Sequence, residues 1–337
     1  MSLRTKPRAA LVHTRTLGRR LGGVAGTELD RLRFHGEAAD VAVFHEYAPP
    51  PSGGGNQFVA ALVRELEGRG VEVEWNRISG GTPACLFNSF NFDFRRLRRF
   101  ARDGVRMVHR VDGPIGVYRG FDDGTDRRIL SLNDALAQAT VFQSRWSLDA
   151  HRELGLELRD PHVIPNAPDP AIFFPPEGRE PRGGRRLRVI ASSWSDNPRK
   201  GADAVVWLEE HLDHDRYELT FVGRTQVRLE HARVVGPLAS RELAELLRTQ
   251  DAYLAASADD PCSNALLEAL ACGLPALFRR SGGHPELVGD AGVAFDEPEE
   301  LGDALDRLAA ELDECRSRIS VPALADVADR YLRLLRG

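Results

Sequence analysis

Two carboxylates, Asp260 and Glu268, flank the predicted start of a short helix. The helix follows an apolar run at 252–256 that predicts a buried strand; Ser263 is a suitable N-cap, and Gly273 suits the helix end. Glu268 is the only charge on a helix that is apolar on nearly every side, which predicts that the helix is buried. A buried carboxylate needs partners, which either protein donors or ligand hydroxyl groups would supply. We favour a ligand, because perturbed carboxylates in clefts are enriched at functional sites.

The start of this helix also offers a site for an anion. The backbone N–H groups near Ser263 and Asn264 have no partner within the helix, and such groups attract an anion such as phosphate. A carboxylate that accepts hydroxyl protons, next to N–H groups that bind phosphate, indicates a nucleotide-sugar as the ligand.

Seven residues separate Asp260 from Glu268, and the stretch resembles the Glu-seven-residues-Glu motif of retaining glycosyltransferases of family four (glycosyl transferases group 1). In that family, which has the GT-B fold, the first carboxylate contacts the donor sugar and the second binds ribose hydroxyls. Asp260 stands where the family has glutamate, and Pro261, Cys262 and Ser263 replace a Gly-Phe-Gly-like loop. These departures leave the donor sugar open more than the reaction class. The resemblance implies a catalytic Asp260 and the donor-binding residues Cys262, Ser263, Asn264 and Glu268.

The residues that we expect to bind the donor diphosphate include an unusual lysine. Only Lys6 and Lys200 are lysines among the 45 basic residues, so a point charge stands at Lys200 where arginine is the rule. The resembled family has an arginine in the first strand's loop and a lysine before glycine, six positions apart. Lys200 fits the lysine, but the arginine position falls on Trp194. Arg199 or Arg224 would replace the missing charge, or else both are ordinary surface arginines.

A glycine-rich loop follows the first predicted strand. Residues 41–47 predict this strand, and the loop at 48–55 contains three prolines and then Gly53, Gly54 and Gly55, before an amphipathic helix. Glycines at the carboxyl end of a parallel strand let a ligand approach the backbone, although such a loop also serves as a plain turn. The resemblance places the loop against donor phosphate and acceptor, which makes Gly54 and Gly55 donor-binding candidates.

A histidine lies near the end of another predicted strand. Residues 106–111 predict the strand, and His109 precedes the loop at 112–114, where ligands bind in α/β sheets. From the residues alone, a satisfied structural histidine is an equal alternative. The resembled family places a histidine here that contacts the donor sugar, so we take His109 as a catalytic candidate.

Strands and helices alternate through both halves, which predicts an α/β fold with two doubly wound parallel sheets. The stretch at 175–186, rich in proline, glycine and arginine, predicts a linker. We expect an extension at 1–40, an acceptor-side domain at 41–178, a nucleotide-sugar-binding domain at 187–320, and a helix at 321–337 that packs back on the first domain. The resemblance implies the GT-B arrangement, in which two Rossmann-like domains face a cleft.

Composition excludes several classes. The 337 residues carry a formal net charge of −5, which gives no sign of nucleic-acid binding, and no apolar run is long enough to span a membrane. The four cysteines show neither metal spacing nor disulfide density, which suits a reducing cytoplasm. We expect the arginine-rich helix at 95–102 to present a solvated face. A basic surface for an anionic lipid acceptor or leaflet, and hence peripheral membrane contact, is the alternative.

These observations predict a glycosyltransferase that moves a sugar from a nucleoside-diphosphate sugar to a hydroxyl of a sugar or lipid-linked acceptor. Retention by front-face attack, with the leaving phosphate helping to deprotonate the acceptor, is what the resemblance implies. No Asp-x-Asp cluster lies in a suitable loop, so we expect no metal or other cofactor, with the diphosphate charge met by Lys200, arginine and helix N–H groups.

Two alternatives remain open from the sequence. One is a nucleotide-sugar epimerase or hydrolase on the same fold. The other is a non-catalytic interaction subunit, which the departures at Trp194 and Asp260 suggest. A nicotinamide dehydrogenase is disfavoured, because neither half carries Gly-x-Gly-x-x-Gly after its first strand.

Overall fold

Two parallel sheets, one in each half of the chain, form the framework. The structure is a computed structural model that describes residues 38–45, 54–89, 94–178, 183–193, 197–225 and 227–337. Within these ranges, two six-stranded sheets are present, which confirms the predicted α/β class with two doubly wound domains. The predicted extension up to residue 37, Gly53 and Trp194 lie outside the described residues.

The first sheet has strands β1 (Val41–Phe44), β2 (Val73–Trp75), β3 (Ala84–Asn88), β4 (Arg106–Val111), β5 (Ala139–Phe142) and β6 (Pro161–Val163). The helices of this half are α1 (Gly54–Gly68), α2 (Phe94–Arg102), α3 (Ile115–Arg119), α4 (Thr125–Leu136) and α5 (Arg145–Glu153). The strand order is β2-β1-β3-β4-β5-β6. The direction of winding reverses between β1 and β3, and ligands of open α/β sheets bind outside the carboxyl ends of strands at such a point.

The second sheet has strands β7 (Leu187–Ser193), β8 (Tyr217–Gly223), β9 (Arg233–Val235), β10 (Ala252–Ala255), β11 (Ala276–Arg279) and β12 (Gly292–Phe295). Its order, β12-β11-β10-β7-β8-β9, reverses between β7 and β10. The helices that follow β7 are α6 (Ala202–His211), α7 (Ser240–Arg248), α8 (Asn264–Ala271), α9 (His284–Val288), α10 (Leu301–Ala310), α11 (Leu312–Ser317) and α12 (Leu324–Arg336). Short 3₁₀ turns at Pro198–Lys200 and Pro298–Glu300 precede α6 and α10.

Burial on both faces explains the composition of the central strands. All four residues of β1 and all four of β5 are buried, as expected when helices cover both faces of a parallel sheet. The helix α8 is apolar for the same reason, since its buried residues pack against the strands of the second sheet. The strand β4 has the bounds that the sequence predicts.

The last helix returns the chain to the first domain. Its buried residues recur at helical spacing and join the core that contains Phe58 and Leu62 of α1: they are Leu324, Val327, Ala328, Tyr331, Leu332 and Leu335. The ring of Tyr331 lies 6.3 Å from that of Phe58. Because α12 follows the second domain in sequence, this packing ties the two halves together.

Polar contacts join the two domains on one side of the cleft. The carboxylate of Glu286, in α9, accepts hydrogen bonds from the backbone N–H groups of Arg145 (2.7 Å) and Trp146 (2.6 Å). Both groups lie at the start of α5, where a helix leaves its N–H groups without internal partners. Asn166 Nδ2 also donates to Asn264 Oδ1 over 3.0 Å. These contacts hold the start of α8 close to the first domain.

Candidate active site

A cavity of about 710 Å³ lies between the two domains, beyond the carboxyl ends of β7 and β10. Its volume is in the range of small-molecule and cofactor sites. Most of the residues that the sequence singled out line it: Gly55, Lys200, Arg224, Asp260, Cys262, Ser263, Asn264 and Glu268. Gly54 precedes Gly55 as the first residue of α1. His109 and Arg199 are not among the lining residues.

Backbone geometry brings Lys200 against the loop that follows β10. Gly201 has a φ of +81°, and a Cβ at this position would lie 2.3 Å from the carbonyl oxygen of Ala256. Only glycine allows this approach without a shift of the backbone. Lys200 Nζ donates to Asp260 Oδ2 over 2.8 Å and lies 5.5 Å from the centre of the Tyr118 ring. A residue of the first domain therefore covers the lysine of the second.

The Lys200–Asp260 pair is held in its charged form. Burial by itself lowers the pKa of Lys200 and raises that of Asp260, but the attraction and hydrogen bond between them prevail. The pKa of Lys200 is therefore raised and that of Asp260 lowered. Asp260 Oδ1 also accepts from the backbone N–H of Cys262 over 3.2 Å. An anionic ligand at Lys200 has to share this lysine with Asp260 or displace it.

The two candidate arginines lie in different surroundings. Arg199 donates to Asp259 and lies near Gly120, beyond the end of α3. Arg224 follows β8, is exposed, and lines the cavity. Its guanidinium forms no ion pair with any residue in the described part of the chain. Of these two arginines, only Arg224 presents an uncommitted charge to the cavity.

Glu268 lines the cavity from α8. It is half-buried on α8, and its carboxylate accepts no hydrogen bond from the residues that the structure describes. Burial raises its pKa to about 8. The structural alternative, a carboxylate held by protein donors, therefore finds no support in the described ranges, and both oxygens are available to a ligand.

The start of α8 is capped as predicted. Ser263 Oγ accepts from the backbone N–H of Leu266 over 3.4 Å. The adjacent residues Asn264 and Ala265, whose N–H groups begin the helix, line the cavity. Cys262 is buried, and burial raises its pKa to about 12, so its sulfur stays a neutral thiol. The loop therefore offers backbone N–H groups and a hydroxyl to a ligand, and no reactive thiolate.

His109 lies inside the first domain, contrary to the expectation of a cleft residue. It is fully buried; its Nε2–H donates to the Ser89 carbonyl and its Nδ1 accepts from Asn133 Nδ2, both over 3.0 Å. The ring stacks on Phe87 at 4.3 Å. Burial lowers its pKa to about 4, so the ring is neutral. Both nitrogens are thus satisfied within the protein, which is the structural alternative that the sequence left open.

The structure brings to the cavity a first-domain residue that the sequence reasoning missed. Asp112, the first residue after β4, lines the cavity three positions beyond His109. Like His109, Asp112 is a polar residue at the carboxyl end of a predicted parallel strand, so the same argument applied to Asp112. The sequence pattern favoured His109, which lies within the strand, over Asp112, which follows it.

No group of three or more histidine, cysteine, aspartate or glutamate side chains within the described ranges is arranged to hold a metal ion. Among the same residues, none of the helices has the length and apolar character needed to cross a bilayer.

A family model matches part of the second domain. Residues 189–311 match the model of the family "Glycosyl transferases group 1". A phosphatidylinositol N-acetylglucosaminyltransferase component of Arabidopsis thaliana is 30% identical over 159 residues, which are 43% of this chain and 35% of the relative. The MMP alpha-(1->4)-mannosyltransferase of Mycolicibacterium hassiacum is 29% identical over 144 residues, 39% and 34% of the two chains. The matches span about a third of these curated relatives.

Solved structures establish the fold. Sucrose-phosphate synthase from Thermosynechococcus elongatus superposes with a TM-score of 0.71 at 14% identity, over 88% of this chain and 98% of that chain. HepE of Anabaena, solved in complex with UDP-glucose, superposes with a TM-score of 0.61 at 16% identity, over 88% and 97%. The chain has the GT-B fold that the resemblance implied.

We predict that Lys200→Met destabilises the protein, because it leaves the buried Asp260 carboxylate without its partner. The free energy of unfolding should fall by about 3 kcal/mol, the lower end for breaking a buried pair, since 29% of the Lys200 side chain is exposed. The double variant Lys200→Met/Asp260→Asn should recover part of this loss. Denaturant unfolding followed by fluorescence measures all three proteins. Equal stability of Lys200→Met and wild type would show that the pair is not energetically coupled.

Proposed function

We propose that this chain is a glycosyltransferase that moves a sugar from a nucleoside-diphosphate sugar to an acceptor hydroxyl, with retention of the anomeric configuration. One observation carries the proposal. The carboxylate of Glu268, free of donors from the described protein, lines the same cavity as the cations Lys200 and Arg224. A nucleoside diphosphate offers ribose hydroxyl groups to Glu268 and negative charge to Lys200 and Arg224.

The proposed roles follow from this chemistry. Glu268 accepts hydrogen bonds from the ribose hydroxyls. Lys200 and Arg224, with the N–H groups at the start of α8, stabilise the diphosphate charge, including the charge that develops as the sugar leaves. Asp260 contacts the donor sugar near the reacting carbon. We propose that the acceptor proton passes to the departing phosphate oxygen, so that no metal or other cofactor is needed.

The similarities support the donor class and leave the acceptor open. HepE was solved with UDP-glucose, and the names of the two curated relatives describe an N-acetylglucosaminyltransferase and a mannosyltransferase. We infer a nucleotide-sugar donor and a sugar or lipid-linked acceptor for this chain. Arg98, Arg99 and Arg102 of α2 are exposed, which suits either a solvated face or contact with an anionic leaflet. We propose a cytoplasmic reaction, with membrane contact as an outcome to be tested with vesicles.

Calorimetry tests the proposal by measuring how the affinity for UDP, GDP and ADP depends on pH in the wild-type protein and in Glu268→Gln. Burial holds the carboxyl group of Glu268 at a pKa of about 8 in the free protein, whereas ribose hydroxyls favour its charged form. Binding should therefore release a proton, and affinity should rise with pH up to about 8 and then level off. Glu268→Gln should bind more weakly and lack this rise. Titration of the nucleotide phosphates is common to both proteins and cancels in the comparison.

The outcomes separate the alternatives. If none of the three nucleotides binds the wild-type protein, the proposed function is wrong. Free sugar or an epimer formed without acceptor would instead indicate a hydrolase or epimerase. Nucleotide binding without turnover across a broad acceptor panel would indicate an interaction subunit. Turnover abolished by a chelator and restored by magnesium or manganese would overturn the metal-free mechanism.

We predict that Arg224→Ala weakens nucleoside diphosphate binding about tenfold, the lower end for hydrogen bonds to charged groups, because Arg224 is exposed. Arg199→Ala is the matched control: Arg199 is already paired with Asp259 and does not line the cavity. It should change the dissociation constant by less than about threefold. A larger effect at Arg199 than at Arg224 would assign the missing family arginine to Arg199 instead.

We predict that Gly55→Ala stabilises the fold while it weakens donor binding. Gly55 lines the cavity, and a Cβ at this position meets no atom within 4 Å. Alanine should raise the free energy of unfolding by at most about 0.5 kcal/mol as a better helix former, because Gly55 lies in the first turn of α1. The control Gly68→Ala, at the other end of α1 and equally unobstructed, should stabilise without affecting binding. Unchanged donor affinity in Gly55→Ala would remove this glycine from the donor site.

A further inference from the structure

Asp112 is the charged group on the first-domain wall of the cavity. The described first-domain residues that line it are Gly55, Asp112, Gly113, Ile115, Tyr118 and Gln143, and of these only Asp112 carries a charge. Its side chain is 44% exposed, although it lies at the base of the cleft directly after β4. Part of the Asp112 carboxylate is therefore accessible from the cavity.

The carboxylate is held in one orientation by three neighbouring strand ends. Ser89 Oγ, after β3, donates to Asp112 Oδ2 over 3.0 Å, and Gln143 Nε2, after β5, donates to Oδ1. Arg110 Nη1 lies 3.5 Å from Oδ1. Arg110 is itself almost fully buried and is fixed by Asn88, at 2.6 Å. Supporting contacts of this kind pre-organise a binding residue.

These contacts leave hydrogen-bonding capacity on the cavity side. An ionised carboxylate accepts about four hydrogen bonds, and three donors lie within reach of Asp112. The remaining capacity belongs to Oδ2, which accepts from Ser89 alone among the described residues. Because the group is an anion, it does not bind the donor diphosphate. It suits a neutral group that donates a hydrogen bond.

Asp112 also lies opposite the loop assigned to the donor. A Cβ on the adjacent Gly113 would be 3.4 Å from Cβ of Pro261, the residue after Asp260. The first-domain wall at Asp112 therefore comes within van der Waals reach of the loop that carries Asp260. A group bound to Asp112 would therefore lie close to the loop that carries Asp260.

We propose that Asp112 is an acceptor-binding residue, which accepts a hydrogen bond from a hydroxyl of a neutral acceptor and positions it beside the reacting carbon of the donor. This inference rests on the proposed function. The acceptor oxygen forms a bond to the anomeric carbon, and the bond from that carbon to the diphosphate oxygen breaks with its electron pair. The acceptor proton goes to the departing phosphate, so Asp112 orients the acceptor and takes no proton. Acceptors that carry a negative charge at this position are excluded by repulsion.

The test is Asp112→Asn, assayed with sugar derivatives of the nucleotide that calorimetry identifies and with a panel of methyl glycosides paired with the corresponding methyl uronides. We expect KM for the neutral acceptors to rise at least tenfold, while the preference for neutral over uronide acceptors shrinks. The dissociation constant for the nucleoside diphosphate should stay within threefold or become smaller, because loss of an anion does not weaken binding of another anion. Ser89→Ala, which removes one supporting donor, should give an intermediate rise in KM.

Matched variants separate this role from a structural one. Asp103→Asn, at an exposed position outside the cavity, should leave all constants unchanged. If Asp112→Asn does not fold, Asp112→Glu keeps the charge and moves the carboxylate by one methylene, and it should give the same rise in acceptor KM. Unchanged acceptor kinetics in either folded variant, or a wild-type preference for uronides, would overturn the assignment. A wild-type protein that binds no nucleotide would instead contradict the proposed function, and the assignment with it.

Discussion

The parallel order of both sheets is the constraint on which the site depends. In a parallel sheet every strand ends at the same edge, so the loops after β3, β4 and β5 meet in the first domain and those after β7, β8 and β10 meet in the second. Two features hold the carboxyl edges of the two sheets opposite each other. Glu286 of the second domain accepts hydrogen bonds from the start of α5 in the first domain. The helix α12 follows the second domain and packs into the core of the first. Residues that are distant in sequence then share one cavity.

Charge inside this cavity is largely neutralised by the protein itself. Adjacent cations, Arg199 and Lys200, pair with adjacent carboxylates, Asp259 and Asp260, so the diphosphate side has little free positive charge. Arg224 remains uncommitted among the described residues. In the proposed mechanism, the donor diphosphate therefore either shares Lys200 with Asp260 or displaces this carboxylate. Before the donor binds, the ion pair keeps both charges partnered.

Local patterns predicted the fold and most of the residues that line the second-domain side of the cavity, but they did not separate His109 from Asp112. The bounds of β4 and the cap at Ser263 followed from hydrophobic periodicity and cap chemistry, which are local properties. Strand register is not local. In the sheet, His109 pairs with Phe87 and Thr140, so it lies within the ladder, whereas Asp112 lies three residues further along. At about 3.3 Å per residue, this difference of roughly 10 Å divides the interior from the cleft.

For Glu268, the sequence predicts the burial of the carboxylate but not its hydrogen-bond partners. An apolar helix with one carboxylate predicts burial of that carboxylate, because the rest of the helix has to pack. Whether protein donors meet it depends on residues brought close by the fold, and in the described ranges none does. Below a pH of about 8, such a carboxyl group is mostly neutral in the free protein, and donors from a ligand favour its charged form. In the proposed mechanism, recognition of the ribose and ionisation of Glu268 are thus linked, which couples nucleotide binding to the pH of the solution.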